Sequence, residues 1–368
     1  MEFHNNLYQK YSRYTSAFNR FDKHSTLLKI LKTYRFETEK IGVSVENRSI
    51  NLIKLGKGNT KVLVWTQMHG DEDTATGAVL DILSFFSKSD EFDSVKKTIL
   101  NKLTLYIIPM LNPDGAEVYE RKNALGVDIN RDAARQISPE SKLLQQAFDR
   151  IKPDFAFNMH DQESYYTAND KTPATISLLA PPADNGNNIS ATREKAIAVV
   201  CELEKMLQEY IPNGIGKWSD DYEPRAFGEH FQTLEASTIL IESGGYYKDT
   251  ERKFVRKLNF VSLLHIFQNL AQNKTMKADI NHYNSIPLNK KGMMFDMILH
   301  NVLLSKQGYD FVCDIGLRLQ NPHLPMLKVE EIGDLSPFAG YVEHDLGRTP
   351  LNIDILNKFQ IAKPQYDF

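Results

Sequence analysis

Four short apolar runs punctuate the chain, and stretches of helical periodicity separate them. The runs are Val62-Leu63-Val64-Trp65, the segment 103–109, the segment 153–160 and Thr238-Ile239-Leu240-Ile241-Glu242. Each is too short for a helix and rich in β-branched or aromatic residues, which predicts buried strands. Between them, 76–86, 138–151, 190–210 and about 250–272 carry apolar residues at helical spacing, with Pro139 at a first helical turn. Asn112-Pro113-Asp114-Gly115 has strong turn chemistry. Upstream, residues 1–35 show helical spacing, clearest at Leu27, Leu28, Ile30 and Leu31. Residues 41–55 read as a turn and one alternating strand. Strands alternating with helices predict an α/β fold: a mixed, mostly parallel sheet with helices on both faces. Past residue 275 the texture changes to short strands at 293–304, 309–319, 326–332 and 340–344, broken by Gly, Asn and Pro. The predicted organisation is a catalytic-type domain over 1–274 and a small β-rich C-terminal domain over 275–368.

Three of the four apolar runs lead into a His or a Glu: His69, His160 and Glu242. In open α/β sheets the carboxyl ends of strands are where ligands sit. His69-Gly70-Asp71-Glu72 places an imidazole and a carboxylate three residues apart, able to clasp one side of a zinc ion while a third ligand comes from elsewhere. With 10 histidines and 47 acidic residues, that spacing alone is common. Its recurrence at strand ends is what singles out a site. The other histidines, His323 among them, are read as surface or core residues.

Composition narrows the classes. A net charge of −3 provides no basic footprint for nucleic acid or an anionic membrane. No window is long and apolar enough to span a bilayer, and the first residues lack a signal-like apolar core. Cys201 and Cys313 are too few for a disulfide framework, which points to a cytoplasmic location and leaves His and carboxylate as metal ligands.

Taken in order, the motifs resemble those of the zinc carboxypeptidases related to carboxypeptidase A, in a bacterial-type cytoplasmic branch. The blocks are Gly42-x-Ser44-x-Glu46-x-Arg48-x-Ile50, His69-Gly70-Asp71-Glu72, Asn112-Pro113-Asp114-Gly115, Gly126-Val127-Asp128-Ile129-Asn130-Arg131, His160 and Ile241-Glu242-Ser243-Gly244, spread over roughly 35–270. The resemblance implies one zinc ion per chain, held by His69, Glu72 and His160. It implies Glu242 as general base, and Asp128 as the carboxylate that orients a ligand histidine. Asn130 and Arg131 would hold a substrate's terminal carboxylate, and Arg121 would stabilise developing negative charge. Without the family, Arg121 in Glu120-Arg121-Lys122 reads equally as a solvated face, and Asp128 and Asn130 as turn formers.

Two places depart from the family's pattern. In the loop 218–228, Tyr222 is the sole tyrosine available for the family's mobile tyrosine, and Arg225 is a further candidate substrate contact. The acids Asp220, Asp221 and Glu223 of that loop could favour a cationic group, and Asp132 follows Asn130-Arg131 where digestive relatives differ. The expected function is a zinc metallocarboxypeptidase acting on peptides with a free C-terminal carboxylate. The alternative is a zinc amidohydrolase of the aspartoacylase and succinylglutamate desuccinylase type, cleaving N-acyl amino acids. A non-catalytic binding relative is disfavoured, because all four central residues are present.

Overall fold

The computed structural model describes residues 2–362 apart from Asp170, Pro322 and His323. His323 and the final six residues of the expected C-terminal domain therefore lie outside the described residues. Two sheets form among the described residues. The larger contains β1 (Glu37–Val43), β2 (Ser49–Gly56), β3 (Thr60–Trp65), β4 (Leu103–Ile108), β5 (Phe155–Asp161), β6 (Ile176–Leu179), β7 (Ile215–Lys217) and β8 (Ser237–Ser243). Its spatial order is β1-β2-β4-β3-β5-β8-β6-β7. The four apolar runs are its four central strands, and all of these pair in parallel. Antiparallel neighbours are added on both flanks, by β2 beside β4 and by β6 beside β8.

The continuous apolar character of these strands has a direct cause. In β3, Val62 and Val64 pack into one apolar layer while Leu63 and Trp65 pack into another, so both faces are buried. The helices Thr74–Ser87, Ala191–Leu207 and Lys253–Ala271 supply the first layer. Pro139–Ile151 and Phe227–Thr233 supply the second through residues such as Phe148, Phe227 and Phe231. The Ser138 Oγ accepts from the Ser141 N–H at 3.3 Å and caps Pro139–Ile151 as its sequence predicts. The N-terminal segment is fastened by Asp81, which is fully buried. It accepts from Tyr11 Oη at 2.5 Å, from the Ser16 N–H at 2.6 Å and from Arg256 Nη2 at 2.5 Å.

The stretch 41–55 is two strands rather than one. β1 and β2 form an antiparallel hairpin whose turn takes Asn47 to a φ of 62°. The helices Asp93–Lys102 and Phe227–Thr233 had no sequence expectation. The first is largely polar, and the second is only 7 residues long.

The smaller sheet contains β9 (Met294–Lys306), β10 (Tyr309–Asn321), β11 (Leu324–Gly333) and β12 (Ala339–Asp345), in the order β11-β10-β9-β12. These are the four C-terminal strands that the pattern predicts. No helix among the described residues is long and apolar enough to cross a membrane.

Candidate active site

β3, β5 and β8 are consecutive neighbours, and their carboxyl ends open on one side of the sheet. After β3 the chain runs through 66–73 into the helix Thr74–Ser87, and His69 and Glu72 lie in this connection. A Cβ on Gly70 would come within 2.0 Å of the Gly115 carbonyl carbon, so only glycine lets this loop pass over Pro113–Val118. The Gly70 N–H and Asn112 Nδ2 both donate to the Arg121 carbonyl, at 3.4 and 3.3 Å. The His-Gly-x-Glu and Asn-Pro-Asp-Gly blocks thus touch each other, and together they fix the segment that bears Arg121. Asp114 serves the block before them: it accepts from Ser44 Oγ at 2.7 Å, the Glu46 N–H at 2.9 Å and Arg48 Nη1 at 2.7 Å.

His69, Glu72 and His160 meet, each almost fully buried. His69 Nδ1 lies 2.6 Å from Glu72 Oε1 and 3.1 Å from His160 Nδ1, which in turn lies 2.7 Å from Glu72 Oε2. Tetrahedral zinc would set such atoms about 3.4 Å apart, so a small outward relaxation accommodates the ion. His69 Nε2 faces Asp128 Oδ1 at 3.1 Å, an arrangement that would hold the proton on Nε2 and free Nδ1 for a bound metal. Burial alone would disfavour charge on His69, but the Glu72 and Asp128 carboxylates outweigh it and lift its pKa to about 9. Burial likewise disfavours charge on Glu72, yet the two histidines hold its carboxyl below the usual range. The cluster favours a positive charge at its centre, and its donor set fits zinc.

Asp128 also accepts from the Asn130 N–H at 2.9 Å and from Arg121 Nε at 3.0 Å. Arg121 Nη1 reaches 3.1 Å from His69 Nδ1 and 3.3 Å from Glu72 Oε1, so this half-exposed arginine is folded onto the cluster rather than into solvent. Asn130 Nδ2 lies 3.5 Å from His160 Nε2, while its Oδ1 accepts from the Phe227 N–H at 3.0 Å.

Register brings Glu242 to this group. His160 on β5 is the direct cross-strand partner of Glu242 on β8. The Glu242 carboxylate makes no hydrogen bond or ion pair to another described residue, and it lines the cavity. Burial, with the Glu72 carboxylate nearby, pushes its pKa well above the ordinary carboxylate range.

The cavity has a volume of about 710 Å³, and Arg121, Asn130, Arg131, His69 and Glu72 all line it. Tyr222 and Arg225 do not. Arg225 is exposed and donates to Glu223 at 2.6 and 2.8 Å. Asp132 turns away and accepts from Ile137 N–H, Ser138 N–H and Ser138 Oγ, each at 2.9 Å. Asp220 is spent on Tyr283, Arg193 and Lys217. The lining residues that no sequence motif pointed to include Tyr166, Trp218 and Glu229. No motif marks them, since a loop, a strand end and a short helix carry them there.

A family model described as zinc carboxypeptidase matches residues 26–175. An uncharacterized protein of Zymomonas mobilis is 28% identical over 130 residues, 34% of either chain. Carboxypeptidase 2 of Trichophyton tonsurans is 27% identical over 103 residues, 27% of this chain and 19% of its own. The match thus spans 34% or less of the length of these relatives. Among solved structures, a metallo-carboxypeptidase from Pseudomonas aeruginosa superposes with a TM-score of 0.53 at 21% identity, covering 71% of this chain and 68% of the other. Residues 26–175 thus match the zinc carboxypeptidase family model, and the fold resembles that of solved metallo-carboxypeptidases.

Proposed function

We propose that the protein is a zinc-dependent metallocarboxypeptidase that hydrolyses the C-terminal amide bond of a peptide. The observation that carries this reading is the juxtaposition of the His69–Glu72–His160 cluster with the unpartnered Glu242, on a cavity that also presents Arg121, Asn130 and Arg131. A zinc ion held by the cluster would supply Lewis acidity toward a carbonyl oxygen and lower the pKa of a water.

The protein's own groups would do the rest. The Arg131 guanidinium, a fork of donors, holds the substrate's terminal carboxylate with the Asn130 amide beside it. This carboxylate fixes which amide bond lies against Glu242. The Glu242 carboxylate takes the proton of the attacking water and passes it to the departing nitrogen. A divalent cation at the cluster would offset the repulsion from Glu72 that raises the Glu242 pKa, keeping the base ionised. Arg121 faces the developing oxyanion from a position Asp128 secures. The two free cysteines suit a cytoplasmic location.

Turnover of N-blocked dipeptides by the zinc-loaded protein, compared with N-acyl aspartate and N-acyl glutamate, tests the reading. Hydrolysis of the dipeptides, lost on chelation and restored by zinc, is expected. Preference for the acyl amino acids would replace the peptidase with an amidohydrolase.

A further inference from the structure

Period-two alternation and strand register lay out the floor of the cavity. Asn158 precedes His160 by two residues on β5, and Leu240 precedes Glu242 by two on β8, so each pair shares one face. Asn158 is the cross-strand partner of Leu240, and Leu240 pairs in turn with Leu179 on β6. Directly below the His160–Glu242 pair there is therefore a floor of Asn158, Leu240 and Leu179. The helix Phe227–Thr233 closes it. The site of a Gly228 Cβ lies 3.2 Å from Pro181 Cγ and 3.6 Å from Asn158 Nδ2, so glycine lets the helix press against the floor. The next residue is Glu229.

Glu229 is only 8% exposed and lines the cavity, yet its side chain has no hydrogen bond or ion pair to another described residue. Asn158, 2% exposed, has a buried Oδ1 that is also without a partner. An unsatisfied amide oxygen and a carboxylate whose one hydrogen bond comes from its own backbone N–H thus belong to residues lining a recess whose other surfaces are Leu179, Pro181 and Leu240. The Trp218 indole N–H, also unsatisfied, is a neutral donor and brings no charge. Buried carboxylates without a counter-charge are costly, and natural structures keep few of them. Burial pushes the Glu229 carboxyl up to about 7, with Arg131 opposing and Glu223 reinforcing the shift.

Of the neighbouring acids, Asp221 is exposed and accepts from Ser219 Oγ at 2.6 Å, while two others have cationic partners. Glu223 is held by Arg225 and approached by Arg131 at 3.6 Å, and Asp220 is neutralised by its own partners. A ligand group with an apolar stem and a cationic, hydrogen-bond-donating tip satisfies both the floor and the acceptors.

We infer that the recess selects a substrate whose C-terminal residue carries an amine or guanidine side chain, with Glu229 as its counter-charge and Asn158 Oδ1 as a second acceptor. This deepens the carboxypeptidase reading and rests on it. The sequence placed such a preference in the acids of the loop 218–228, whereas the structure assigns it to the helix that follows.

The test compares kcat/KM for N-blocked dipeptides ending in lysine, norleucine or glutamate, on the zinc-loaded protein and on Glu229→Gln. Calorimetric binding of free lysine and free norleucine to both proteins runs alongside. Lysine is expected to exceed norleucine by about 30-fold or more, and the ratio to collapse in Glu229→Gln. Glu229→Lys should turn the preference toward glutamate. Parity of lysine and norleucine, or an unchanged ratio in Glu229→Gln, overturns the role of Glu229 while leaving the peptidase intact. If no peptide is cleaved but lysine still binds better than norleucine through Glu229, the recess assignment stands and the proposed reaction fails.

Discussion

On the eight-stranded sheet, His69, Glu72, His160 and Glu242 converge because β3, β5 and β8 are adjacent and end on the same side. On the four-stranded sheet the same residue types disperse. His300 shares itself between Asp314 at 3.2 Å and Glu343 at 3.3 Å on a partly solvated face, and His344 packs against Phe359. The contrast shows that residue type alone does not make a site. Parallel strands buried on both faces leave their carboxyl ends as the place where several polar groups can meet out of water, whereas a sheet with one open face lets each charge find a solvated partner.

The smaller sheet nevertheless bears on the site. Tyr341 Oη donates to the Ser164 carbonyl at 2.5 Å, and Tyr165 Oη to Asp296 Oδ2 at 2.6 Å. Asn289 Nδ2 donates to Gln162 Oε1 at 2.9 Å, and the Thr167 and Lys290 backbones exchange hydrogen bonds at 3.0 Å. The loop that follows His160, with Gln162, Glu163 and Tyr166 on the cavity wall, is held by the segment 289–296 and by β12.

Substitutions in the two regions should separate their roles. The largest effect is expected from His160→Ala, which removes a proposed ligand: zinc measured per chain should fall from about one toward none, with activity lost alongside. Arg121→Met should lower kcat by roughly 10²–10³-fold while the chain still binds zinc, because it removes a donor for developing charge. In the smaller sheet, Tyr341→Phe deletes one hydrogen bond to the loop at 164 and should cost about 1 kcal/mol of stability in denaturant unfolding. Glu229→Gln adds a pH signature. The folded carboxyl titrates near 7, above its ordinary value, so charging it costs the wild type stability as pH rises through that window. The variant should therefore match the wild-type melting temperature near pH 4.5 and exceed it at pH 8. The smallest effect belongs to His300→Ala, within about 0.5 kcal/mol, since its partners stay hydrated.

These expectations also show what the linear sequence could convey. The four central strands were legible because burial on both faces writes an unbroken apolar run. His69, Glu72, His160 and Glu242 were legible because each sits in or just beyond such a run. The shared strand register of His160 and Glu242 was not legible, because β5 and β8 are separated in the chain by β6, β7 and two helices. Glu229 was hidden for a related reason. It rides on a seven-residue helix whose position depends on the Phe227 contact with Asn130 and on the close approach of Gly228 to Pro181, both tertiary facts. Tyr222 and Arg225 went the other way: residues of suitable chemistry in the expected loop, placed outside the cavity lining.

The central claim is that Glu242 is the base beside a zinc cluster. Zinc content and dipeptide hydrolysis measured together on wild type and Glu242→Gln test it most directly. The account predicts about one zinc per chain in both proteins and activity lowered at least about 10²-fold only in the variant. A zinc-free wild type, or a variant that hydrolyses peptide as fast as the wild type, would contradict it.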